Sequence, residues 1–398
     1  MVINIIIIFS TVLVGAILFL PHLANNNFWR ATITPLASII GSGFLILGPI
    51  LSQNFGGYAP LVMAILCLVG FLFGVAIRYN IKQHMVVRDD SLVNSLETLS
   101  SWVLAFAYII SVAYYLNLFG AFGIRLTSVD DTTNARILTS GIFVFILMVG
   151  WTRGFDALER LEQISVSIKL AIIIGLVVGL AMYNTEAALA NELIFSSSKT
   201  LDWSLLTLSF GLIVTVQGFE ISRYLGEKYS ATTRIKSMQL AQYISSAIYI
   251  SYIALISYIF KPESFGLSET AIIDMMLVVA PILPALLIVA ALSAQFSAAI
   301  ADTGGSGGLM HELTNGRIKT RYAYLLLVMI GLFLTWSVDI FAIVSYASRA
   351  FAFYYGLQAL IAAIFAKKSG EPWHKMALYI GLCGLGIIIA IFGTSVEV

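Results

Sequence analysis

Lys169, Glu220, Asp302 and Arg349 are ionisable residues set deep in apolar runs, and their formal charges sum to zero. A charge at the centre of a bilayer costs about 2.5–3.5 kcal/mol even on the lenient insertion scale, so each one needs a partner or a task. Lys169 falls about eight residues into its run, roughly 12 Å at helical rise, and buried lysines change protonation readily. If the run holding Asp302 continues as helix to about His311, Asp302 reaches the same depth. The two are then either a static ion pair or parts of a proton-handling device. Glu220 can accept backbone N–H groups or carry a proton. Arg349, in Ser345-Tyr346-Ala347-Ser348-Arg349-Ala350-Phe351, can grip a carboxylate through its planar guanidinium or pair with Glu220.

The elements that must position these charges are interrupted. Ile40-Gly41-Ser42-Gly43-Phe44 and Thr215-Val216-Gln217-Gly218-Phe219-Glu220 put glycine and polar residues at mid-span. A helix in lipid must satisfy its own backbone, so such a break is tolerable only against protein, water or a solute. Paired breaks at corresponding places in two halves of a chain point to a central binding site. N–H groups near Gly41–Gly43 suit a carboxylate, and carbonyls near Val216 and Gln217 suit an ammonium. A zwitterionic amino acid fits both. Ile40 to Gly43 and Val216 to Glu220 are therefore candidate substrate contacts. Tyr108 either caps the same pocket or packs.

Of 398 residues, 59% are hydrophobic and 11% charged, against about 25% charged in soluble domains. The fold class is an all-α polytopic membrane protein. Net charge +1 offers no basic patch for nucleic acid. Cys67 and Cys383 lie in apolar runs and read as small hydrophobes. The four histidines show no metal-ligand spacing, so no metal or other cofactor is expected. Ser42 has no histidine to activate it, and Gly304-Gly305-Ser306-Gly307-Gly308 lacks the GK[ST] of a phosphate loop, reading instead as close packing or a hinge. No catalytic constellation emerges, and an enzyme is not expected.

Twelve spans are predicted, near 3–22, 33–53, 58–80, 98–124, 135–152, 161–183, 203–222, 237–260, 272–303, 321–337, 338–366 and 374–394. The first has no basic flank or cleavage site of a signal peptide and is read as a retained span. Sixteen Lys and Arg fall in loops of one face against four on the other, which places the basic face in the cytoplasm and both termini outside. Spans two to six and seven to eleven form two blocks of five, each opening with a broken helix. Five is odd, so the second block enters from the opposite face and the repeat is inverted. The organisation is residues 1–30 as an additional helix and loop, 31–367 as the repeat core, and 368–398 as a final helix.

These residues resemble the amino acid–polyamine–organocation superfamily. The resemblance covers nearly the whole chain after residue 30. It is carried by Gly41-Ser42-Gly43-Phe44 with Gly48-Pro49 and Gly56-Gly57, by Gly154 through Leu170 with its mid-helix lysine, by Gly218-Phe219-Glu220 with Gly226-Glu227-Lys228 and Arg234, and by Ala291 to Gly308. It implies a five-plus-five fold with discontinuous first and sixth core helices. It also implies a secondary active transporter of amino acids or similar solutes in the plasma membrane. In that fold the helices of Lys169 and Asp302 flank a cation site. Ser297 is followed by Ala298 where sodium symporters place a second hydroxyl, so the resemblance implies that the Lys169 ammonium replaces sodium and couples transport to protons. Pro49, Val214 and Gln217 depart from the family pattern. A sodium symporter of the sister branch and a transport-inactive sensor are the alternatives.

Overall fold

The computed structural model describes residues 2–41, 43–83, 91–152, 156–195, 202–226, 228–261 and 265–396, with backbone alone for 156–163. Fifteen α-helices fill it, with no strand among the described residues: α1 (Val2–Leu18), α2 (Pro21–Ala24), α3 (Asn27–Ile39), α4 (Gly43–Phe55), α5 (Ala59–Gln83), α6 (Ser91–Ile124), α7 (Thr132–Thr152), α8 (Asp156–Leu189), α9 (Trp203–Gly211), α10 (Ala231–Ser257), α11 (Ala271–Val279), α12 (Leu283–Leu313), α13 (Thr320–Ser337), α14 (Ile340–Lys368) and α15 (Trp373–Phe392). Two 3-10 turns, Ile213–Val216 and Phe219–Tyr224, follow α9. Nine helical runs among the described residues are long and apolar enough to cross a membrane. The other three expected spans are α1, at 17 residues, and the two that are broken. The chain is a polytopic, all-helical membrane protein.

The packing is symmetric between the blocks. α5 packs on α10, α6 on α12 and α7 on α13, each pairing a helix with its counterpart in the other block. α6 also packs on α14 as α12 packs on α8, which is the same relation with the blocks exchanged. Two further helices ride outside. α1 lies on α8, where a Cβ added at Gly175 or Gly179 would meet Thr11 or Ile7. α15 lies on α14, where Gly386 and Gly356 meet at backbone distance. Small residues let helix backbones approach where lipid supplies no hydrophobic drive.

The span expected at 272–303 divides. α11 ends at Val279, Ala280 is extended with φ −161° and ψ 135°, and α12 begins at Leu283. Pro281 and Pro284 explain this, because a proline forces the residue before it out of the helical region and lacks an N–H of its own. α12 does continue past His311, to Leu313. Pro49 has a different consequence. It leaves the carbonyl of Leu45 without its helical donor, and the buried Tyr252 hydroxyl donates to that oxygen at 3.3 Å.

Cys67 is buried and Cys383 partly so, both as free thiols. The glycine run at 304–308 lies inside α12, where Gly305 receives the Tyr108 ring and Gly307 the Tyr324 ring. It is a close-packing segment.

Candidate functional site

Asn26 starts α3 by accepting N–H bonds from Phe28 and Trp29 at 2.9 and 3.0 Å. The helix stops at Ile39, whose neighbour Ile40 turns away with φ −83° and ψ 56°, and α4 starts at Gly43. Ser42 lies outside the described residues, as do 84–90, 153–155 and Glu227, which the sequence reading also used. α9 stops at Gly211. Beyond it the chain runs as a 3-10 turn to Val216, extends at Gln217 (φ −80°, ψ 173°), and enters the left-handed region at Gly218 with φ +116°. The second break is therefore wider than Thr215–Glu220, reaching from Leu212 to Tyr224.

The two breaks touch. A Cβ added at Gly43 would lie 2.5 Å from Thr215 Cβ, and one at Gly218 would lie 2.5 Å from Ser38 Oγ and 2.6 Å from the Ile39 nitrogen. Only glycine fits at either place, and at Gly218 the backbone itself also requires it. On the far side of the first break, Gly41 approaches Ala298 of α12 and Tyr115 of α6, both 3.5 Å from its would-be Cβ.

Side chains meet many of the released backbone groups. The Tyr249 hydroxyl of α10 sits 2.9 Å from the carbonyl of Ile39 and 2.7 Å from that of Thr215. With one hydrogen to give, it serves both broken ends. Ser348 of α14 donates to the Gly211 carbonyl at 2.7 Å and accepts from the Val214 N–H at 3.0 Å. Glu220, fully buried, accepts from the Gly218 N–H at 2.9 Å and the Tyr355 hydroxyl at 2.8 Å. Its other oxygen, Oε1, has no partner. Gln217 Nε2 lies 2.6 Å from the Tyr115 hydroxyl, and its Oε1 is unmet. Phe219 stacks on Tyr355 with centroids 5.1 Å apart.

Lys169 is completely buried on α8, with Nζ donating to the Ala37 carbonyl at 2.6 Å and to Ser297 Oγ at 3.3 Å. The ammonium thus holds the last turn of α3 against α12. Asp302, also fully buried, accepts from Ser111 of α6. Ser297 and Asp302 are five residues apart on α12, about 7.5 Å of rise. One helix therefore carries contacts to both charges.

For two further expected residues the contacts are these. Tyr108 packs against Gly305 and edge-on to Phe351; Tyr115, two turns along the same helix, is the α6 tyrosine that meets Gly41 and Gln217. Arg349 is not brought to Glu220. It is exposed, and its Nε donates to the Ala390 carbonyl at 2.7 Å, in the last turn of α15. Tyr355, which does reach Glu220, is six residues further on, about 240° around the helix, so the two point to different sides of α14.

Charged networks lie near the two ends of α6. On the face rich in Lys and Arg, Arg223 pairs with Glu97 at 2.5 Å and donates to Gln358, which also binds Asn80 and Ser100. Beside this network lies a polar cavity of about 370 Å³ lined by Glu97, Arg223, Tyr224, Arg234 and Glu312. On the other face Arg125 bridges Asp130 at 2.5 Å and Asp274 of α11 at 2.7 Å. The hydrogen bond from Arg125 to Asp130 raises the guanidinium pKa above its ordinary value. Among the described residues, no group of His, Cys, Asp and Glu is placed to hold a metal ion.

A family model described as an APC superfamily transporter matches residues 21–393. A protein of Aquifex aeolicus (strain VF5), named only as an uncharacterized protein, is 40% identical over 404 residues, covering 98% of this chain and 97% of its own length.

Proposed function

The chain belongs to the APC superfamily of transporters, and on that premise we propose that it moves amino acids or similar small organic solutes by alternating access, coupled to protons through Lys169. The observation that carries this reading is the meeting of the two breaks at Gly43–Thr215 and Gly218–Ser38. Two helices interrupted in the membrane and joined at their interruptions supply movable half-helices around a common point. A solute binds where they part.

Lys169 supports proton coupling over sodium coupling. Its ammonium occupies the two oxygens, Ala37 O and Ser297 Oγ, that a hard cation would need beside the first break. Loss of its proton would release the last turn of α3 from α12. The ion pair Arg223–Glu97 on one face and Arg125–Asp274 on the other are suited to alternate as closures. We place the protein in the plasma membrane with the Lys- and Arg-rich face toward the cytoplasm, following the charge asymmetry of its loops.

The test is reconstitution in liposomes with an imposed proton or sodium gradient and a radiolabelled solute panel. The proposal expects uptake that follows the proton gradient and is indifferent to sodium. Uptake that requires sodium at fixed pH would favour the sodium symporter, and no flux of any solute would favour a sensor.

A further inference from the structure

Gln295 lies in α12, wholly buried, and neither the nitrogen nor the oxygen of its amide meets a hydrogen-bond partner. A primary amide brings two donors and an acceptor, and leaving such groups unmet in a dry interior is destabilising. A leucine of similar size would pack there without that cost.

Its place relative to the breaks follows from helix register. Ser306 Oγ donates to the Ala105 carbonyl and Ser111 Oγ to Asp302, so α12 and α6 run antiparallel with residues 306 and 302 level with 105 and 111. Continuing that register sets Gln295 level with Asn117 and Leu118. Gln295, Ala298 and Asp302 recur at three and four residues and share one face. Ala298 is the residue that meets Gly41. Gln295 therefore stands about one turn along α12 from the first break, on the face that α12 turns to α6, the helix whose Tyr115 meets Gly41. Across that break, Gln217 and Glu220 each leave one buried oxygen unmet.

We propose that Gln295 is a specificity-determining residue of the solute site and that it reads a planar edge with an N–H beside a C=O, as in a carboxamide or a lactam. The N–H and C=O of an amide lie in one plane and match a second such edge through two parallel hydrogen bonds. An apolar solute leaves both groups unmet. A carboxylate sets a negative charge against Oε1, and an ammonium leaves its nitrogen facing a donor. This inference rests on the transporter reading and narrows its substrate class.

The experiment compares matched solutes on the full-length protein in proteoliposomes: glutamine against methionine and glutamate, and uracil against benzene-sized apolar rings. Binding is read by thermal shift and transport by uptake, for the parent, Gln295→Leu and Gln295→Glu. The parent should favour the carboxamide or lactam member by about 10- to 100-fold. Gln295→Leu should lose that preference while melting no lower than the parent, and Gln295→Glu should shift it toward solutes that only donate. A parent that favours the apolar or charged members, or a Gln295→Leu protein that keeps the parent's ranking, overturns the subsite and leaves transport intact. Flux of no solute in the panel overturns the subsite and the transporter reading together.

Discussion

The Lys169 ammonium donates to the carbonyl oxygen of Ala37 at 2.6 Å, tying the fifth span of the first block to the broken end of its first. If that tie is the proton switch, Lys169→Ala should abolish accumulation driven by a proton gradient while leaving solute exchange at equal pH. Uptake with and without an inward proton gradient checks this. An unchanged pH profile in the variant would remove Lys169 from the coupling.

Gly218→Ala should be destabilising by about 1–3 kcal/mol or more. The substitution adds backbone strain at φ +116° to a Cβ set 2.5 Å from Ser38. Gly308→Ala, in the same family of small residues but with open space at its Cβ, should be close to neutral. Unfolding midpoints of the purified proteins measure both, and equal midpoints would contradict the close contact between the breaks.

Tyr249→Phe removes the one hydroxyl shared by the carbonyls of Ile39 and Thr215. Buried carbonyls left without a donor cost about 1–3 kcal/mol. The variant should lose stability and transport together, because both broken ends lose a common anchor. Tyr252→Phe, which strips only the Leu45 carbonyl within α4, should lose stability with transport largely kept.

Arg349→Gln should leave apparent solute affinity unchanged, since the guanidinium is turned to Ala390 of α15. A selective loss of affinity for anionic solutes would return Arg349 to the binding site.

Breaking Arg223–Glu97 should open the Lys- and Arg-rich face. Glu97→Gln is expected to increase labelling of a cysteine placed at Ser101, in the wall of the polar cavity, by a membrane-impermeant maleimide applied from that face. Unaltered labelling would show that the pair does not close the cavity.

The breaks themselves were legible because glycine clusters stand out in apolar runs. The width of the second was not. Ile213-Val214-Thr215-Val216 reads as ordinary span sequence, and its 3-10 winding depends on Ser348 of α14 holding Gly211 and Val214. Tyr249 carried no local signal, being one of 18 tyrosines whose role exists only once α10 lies across both breaks. Nothing in the sequence sets Tyr115 above Tyr108, since both fall about one turn from the middle of the 98–124 run. Depth along α14 does not fix rotation around it, and it is rotation that turns Arg349 to Ala390 of α15. The division at Ala280 was readable from Pro281 and Pro284, yet the unbroken apolarity around them masked it.

The glycine seams that bind α1 to α8 and α15 to α14 have a mechanical meaning. Each block has its closing helix ballasted by an outrigger, and a seam at backbone distance tolerates little sliding. On the transport reading, movement falls to the short, unwound pieces and the helices fastened to them, with the ballasted pair as the stator. A covalent staple across either seam should leave turnover running.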